Sequence, residues 1–181
     1  VLPQGWVVVA PWKTEVDGFV IPSEEQASVE YIGLGPFDVR EIGAVSKIRV
    51  GVLRGETGLP VGTVASIVER EVAFFRNSLV TAGSLVVVPV SFMRGGASGR
   101  RSAVQGPQPD TLAHEVFHWW NSSEITRGEA GWFHEGLTTY FGLKFARDAG
   151  AYTEQQMNTC LADLNAEMRF LEADHPVSLA E

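Results

Sequence analysis

The chain has a single cysteine, Cys160, no apolar run of bilayer length and no excess of basic charge, and each scarcity excludes something. One cysteine cannot close an intrachain disulfide, so a disulfide scaffold is ruled out while the compartment stays open. Cys160 is expected as a small apolar residue on a helix. The longest apolar stretches, Trp6 to Trp12 and Leu85 to Val90, fall far below the ~18 residues that suggest a membrane span. No span is expected. A formal net charge of -8 repels nucleic acid and anionic membrane surfaces, which bind clustered Lys and Arg, so neither is an expected partner. The sequence opens at Val1 without an initiator Met or a basic region leading into an apolar one, and it is expected to be a piece of a longer protein. A leader missing from such a piece says nothing about where the parent protein resides.

What is present fits a folded domain. With 181 residues, 45% hydrophobic and 20% charged, the composition is that of an average globular domain able to bury a sizeable core. The first 20 residues read as short strands punctuated by Pro3, Gly5, Pro11 and Gly18, and are expected to be the tail of a preceding β domain; residues 21–181 form the main domain. Strands are expected at Ser28 to Ile32, Phe37 to Ile42 and Ser46 to Leu53, with Gly33, Gly35 and Pro36 as a turn. Val61, Val64, Ala65, Val68, Val72, Phe75 and Leu79 recur at helical spacing, with Glu69, Arg70, Glu71 and Arg76 mainly elsewhere, which predicts an amphipathic helix ending near Leu79. Ser84 to Phe92 reads as an apolar strand that Pro89 demotes to an edge or interrupts. A Gly- and Arg-rich loop runs from Met93 to Ser102. Asp110 is then a good N-cap for a helix from Thr111 to about Asn121, and further helices are expected near Gly131 to Asp148 and Thr153 to Glu172. Strands first and helices afterwards give an α+β class.

Three of the four His, namely His114, His118 and His134, lie in one short stretch with Glu115 and Glu135. In HEVFH, residues 114–118, a helical turn puts His114 and His118 on one face, able to grip a single metal ion, and imidazoles suit zinc. Glu115, rotated by about a quarter turn, is badly placed to join them but can take a proton from a water held there. A third ligand is needed, and Glu124, Glu129, His134 and Glu135 are all in range of the sequence.

HEVFHWWN followed by WFHEGLTTYF resembles the gluzincins, specifically the glycyl aminopeptidase family and, more distantly, the membrane alanyl aminopeptidases. Trp120, Trp132, Glu135, Gly136 and Tyr140 match the family pattern over about residues 110–145. The resemblance implies a thermolysin-like catalytic domain, a mixed sheet with helices followed by a helical part with the HExxH helix in between. It further implies one zinc ion per chain held by His114, His118 and Glu135, with Glu115 as general base and a peptide or protein as substrate. His134 is then a residue of the cleft rim or a partner of a ligand, and Thr138 and Thr139 stand where a hydroxyl could orient a ligand.

Two departures bear on specificity. The aminopeptidases place an acid for the substrate's free amine in a Gly-rich loop before HExxH, whereas Gly95 to Ser102 contains none, so little preference for a free N-terminus is expected. Arg94, Arg100 and Arg101 would instead favour an acidic side chain or a carboxylate, and Gly95, Gly96, Arg100, Arg101 and Tyr140 are the candidate substrate-binding residues. An oxyanion donor is expected outside the chain, with Tyr152 and His175 as lesser candidates, which implies a catalytic domain truncated at its C-terminus. The competing reading is a degenerate peptidase domain serving as a binding module, and the intact HExxH and Glu135 speak against it.

Overall fold

The computed structural model describes residues 2–15, 18–21, 23, 30–43, 47–55, 58–76, 82–121 and 131–174. Within them lie nine strands: β1 (Val7–Val9), β2 (Lys13–Glu15), β3 (Gly18–Val20), β4 (Gly33–Gly35), β5 (Phe37–Ile42), β6 (Lys47–Leu53), β7 (Ala82–Val87), β8 (Gly96–Ser98) and β9 (Ser102–Gln105). The helices are α1 (Val61–Phe75), α2 (Pro109–Phe117), α3 (Gly131–Asp148) and α4 (Glu154–Asp174). The architecture is α+β. A five-stranded mixed sheet runs β5-β6-β7-β9-β8, parallel from β6 through β7 to β9 and antiparallel at both ends.

Alternation along the strands sorts apolar side chains to two faces. Ile48, Val50, Val52, Leu85 and Val87 point to one side, where Val64, Ala65, Ile67 and Val68 of α1 and Leu112, Ala113, Val116 and Phe117 of α2 complete the main core. Val86 points the other way and packs with Val9 and Phe37. Strand β1 pairs with β4, and its Val9 is wholly buried, whereas β2 and β3 pair with each other in a separate ribbon.

The structure corrects several expectations. Gly33 and Gly35 form strand β4 rather than a turn, because the ribbon lies so close to the sheet that a Cβ on Gly33 would come within 3.0 Å of Val86 and 3.2 Å of the Phe37 ring. The apolar strand closes at Val87, before Pro89 can interrupt its ladder, and it is central rather than an edge. Within the expected loop from Met93 to Ser102, Gly96–Ser98 pairs with β9 and forms the sheet edge. Helix α2 starts at Pro109, whose missing N–H costs nothing at the first helical position, leaving Asp110 inside the first turn rather than as N-cap. It also stops at Phe117: Trp119 and Trp120 donate their N–H groups to the carbonyls of Val116 and Phe117, three residues back, tightening the chain as both indoles turn into the core. Helix α1 ends at Phe75, with Arg76 in a left-handed conformation at φ 49°. Residues Ser28, Ser46 and Leu79, named in the expected elements, lie outside the described residues. Glu71, expected on the polar face of α1, is completely buried.

Candidate metal centre

The site is made where α2 meets α3. Close approach of the two helices depends on Gly142 of α3, where a Cβ would fall 2.8 Å from the Asp110 carbonyl oxygen and 3.1 Å from the His114 nitrogen. His114 lies on α2 and His118 caps its C-terminus one turn later, the His118 N–H donating to the His114 carbonyl at 3.3 Å. Their Nε2 atoms are 3.1 Å apart. From α3, Glu135 Oε2 approaches His114 Nε2 at 3.1 Å and His118 Nε2 at 3.7 Å. Among the described residues these three offer ligand atoms within 4.8 Å of one another, a set able to hold one metal ion. Two imidazoles and one carboxylate are the donor types of a catalytic rather than a structural zinc site.

Surroundings keep the donors ready. Burial, then the neighbouring His118, lowers the pKa of His114, and burial lowers that of His118, with Glu135 opposing in both. Both rings therefore favour the neutral form that carries a lone pair. Thr139 Oγ1 lies 3.3 Å from His114 Nδ1, where it can accept the Nδ1 proton and leave Nε2 free. Burial alone would raise the Glu135 carboxyl, but the hydrogen bond from His134 and the nearby imidazoles of His118 and His114 outweigh it and hold it below its ordinary value.

Glu115 stands apart from the three. It is 8% exposed, and burial, with the Glu135 charge adding to it, pushes its carboxyl up to about 7. It opens on a cleft of about 320 Å³ lined by Gly95, Gly96, Asp110, Thr111, His114, Glu115 and Thr139. The backbone of β8 passes directly over it: a Cβ on Gly96 would sit 2.3 Å from Glu115 Cγ. Gly96 is required there because only a residue without a side chain leaves room for the carboxylate.

Of the residues expected from sequence to meet substrate, Gly95 and Gly96 line the cleft; Arg100, Arg101 and Tyr140 are not among its lining residues. Arg101 is held elsewhere, its N–H donating to Glu30 Oε2 at 3.0 Å and its guanidinium 3.6 Å from Glu30 Oε1. Tyr140 is exposed and packs edge-on against Phe141. Tyr152, a lesser oxyanion candidate, donates its hydroxyl to Asp110 Oδ1 at 2.7 Å. Glu124, Glu129 and His175 lie outside the described residues. Asp110 and Thr111 were missed as cleft residues; their position one helical turn before His114 and Glu115 was the available signal.

No family model matches the chain, and no curated protein matches it. Solved structures do. An aminopeptidase N family protein from Idiomarina loihiensis superposes with a TM-score of 0.60 at 18% identity, over 84% of this chain and 33% of that one. An M1 zinc metallopeptidase from Deinococcus radiodurans gives a TM-score of 0.57 at 20% identity, over 92% of this chain and 43% of that one. The fold is one found within M1-type metallopeptidases. The chain spans a third to less than half of those proteins, and at such identity the likeness is one of fold.

Proposed function

We propose that the chain is the catalytic part of a zinc-dependent peptidase of the gluzincin type, with a thermolysin-like arrangement of its HExxH helix. The observation that carries the reading is the convergence of His114, His118 and Glu135 from two helices, with the buried Glu115 beside them on a cleft. His114, His118 and Glu135 would hold one zinc ion, which when bound supplies a Lewis acid for a scissile carbonyl. Glu115 serves as general base: it takes a proton from the attacking water and returns it to the leaving amine, and its low exposure keeps it close to the proton affinity that such work needs at neutral pH. Thr139 steadies the His114 ring. Among the described residues no strand pairs with the outer side of β8, along which an extended peptide can lie, bringing its bonds over Glu115.

The cleft carries carboxylates and no Arg among its lining residues, so the preference for acidic substrates expected from Arg100 and Arg101 has no support there. The test is digestion of a peptide library by the full-length protein before and after zinc removal by a chelator. Cleavage should disappear with the metal and return with added zinc. Cleavage that persists without metal would overturn the zinc mechanism, and none under any loading while zinc remains bound would favour the binding-module reading instead.

A further inference from the structure

His134 lies next to a proposed ligand but outside the ligand set, and it is one of the few buried polar residues of the described chain, at 6% exposure. Its ring is flanked by two acceptors. Nε2 faces the backbone carbonyl of Asn121, just past the end of α2, and Nδ1 lies 3.0 Å from Glu135 Oε1. Both neighbours only accept, and with a proton on Nδ1 the ring donates to Glu135 Oε1. One face of the imidazole stacks on His118, with centroids 4.8 Å apart and planes 24° apart. Asn121 reinforces the junction from its side chain: Nδ2 donates to Thr138 Oγ1 at 2.9 Å and to the His134 carbonyl at 3.3 Å, while the fully buried Thr138 hydroxyl donates to the same carbonyl at 2.7 Å.

We propose that His134, anchored through Asn121 and Thr138, is a positioning residue that pins Glu135 Oε1 and thereby turns Oε2 toward His114 and His118. The inference rests on the metal reading above and extends it to a residue with no ligand role. Glu135 has need of such a tether, since its side chain is 58% exposed and an unheld Glu spreads over several rotamers. A carboxylate fixed at one oxygen presents the other without that entropy loss on metal binding. Partners of this kind commonly change metal affinity by about 10–100-fold when removed.

The two ring nitrogens can be tested separately, because a Gln amide reaches the place of Nε2 and an Asn amide the place of Nδ1. Zinc affinity of the full chain is measured by competition with a chromogenic chelator, the visible spectrum of the cobalt form is recorded, and unfolding of the metal-free variants reports any loss of fold. His134→Gln keeps a donor for Asn121 but none for Glu135, and should weaken zinc binding about 10–100-fold with an altered cobalt spectrum. His134→Asn restores a donor for Glu135 and should recover most of the affinity. Wild-type affinity in His134→Gln, equal losses in both variants, or rescue by Gln and not by Asn each overturns the positioning role. The underlying metal reading fails differently: wild-type chain would bind no zinc, or Glu135→Ala would leave its affinity unchanged.

Discussion

At the scale of single residues, two buried glutamates do opposite things. Glu115 is buried beside the proposed metal ligands, and replacing it with Gln keeps its shape while removing its ability to take a proton. Glu115→Gln should retain zinc content and lose about 10²–10⁴-fold in peptide turnover, measured on the zinc-loaded full-length protein, where the expected oxyanion donor is present; full turnover in the variant would eliminate Glu115 as base. Glu71 is buried in α1 with neither carboxyl oxygen hydrogen-bonded among the described residues, and burial raises its pKa well above 4.5. Below about 4.5 it is protonated in both folded and unfolded chains and costs least. As pH rises toward the folded-state value only the unfolded chain ionises freely, so stability drains away until that value is passed. Glu71→Gln should therefore flatten the decline in unfolding temperature above pH 4.5 and, for a gain of about 1 kcal/mol, unfold about 2–4 °C higher at pH 7.5. An equal or steeper decline in the variant would contradict the cost assigned to the buried Glu71 carboxyl. The position of Glu71 was legible in part, since 64, 68, 71 and 75 follow one helical stripe with Val64, Val68 and Phe75; its charge argued for the other face, and tertiary packing prevailed.

At the scale of elements, the spacing of HEVFH placed His114 and His118 one turn apart because the period of a helix is fixed by its backbone. Strand faces were equally legible in Ile48, Val50 and Val52. What could not be read was contact between distant segments. Gly33 and Gly35 signal a turn locally, yet form β4 because Val86 and Phe37 lie beneath. Nothing before Gly96 or Gly142 in the chain announces that Glu115 lies under one and the start of α2 against the other. These close approaches give a paired prediction. Gly142→Ala sets a Cβ against backbone atoms of α2, so it should cost roughly 1–3 kcal/mol and weaken metal binding by moving Glu135 away from His114. Gly136→Ala meets nothing within 4 Å among the described residues and should stabilise the helix by about 0.5–1 kcal/mol. Denaturant unfolding and chelator competition on both variants test the packing of α3 on α2; a neutral Gly142→Ala would contradict it.

For the molecule as a whole, one mixed sheet carries helices that bring two proposed ligands from α2 and one from α3, and none of the described helices is long and apolar enough to cross a membrane. His118 and Glu135 are separated by residues 119–134 in sequence, so the assembly of the site is a property of the fold rather than of the motif alone. The resemblance of the motif to gluzincins and the likeness of the fold to M1-type structures are independent lines, one read from about 35 residues and one from backbone over most of the chain. The motif carries the proposal that His114, His118 and Glu135 jointly hold a catalytic zinc, while the likeness to solved structures concerns the fold alone. The most direct test is the zinc content of the purified chain and of its Glu135→Ala variant by elemental analysis. About one zinc per wild-type chain, falling sharply in the variant, is the result expected of a single two-His, one-carboxylate site. A metal-free wild type, or a variant that stays fully loaded while Glu124→Ala empties, would contradict it.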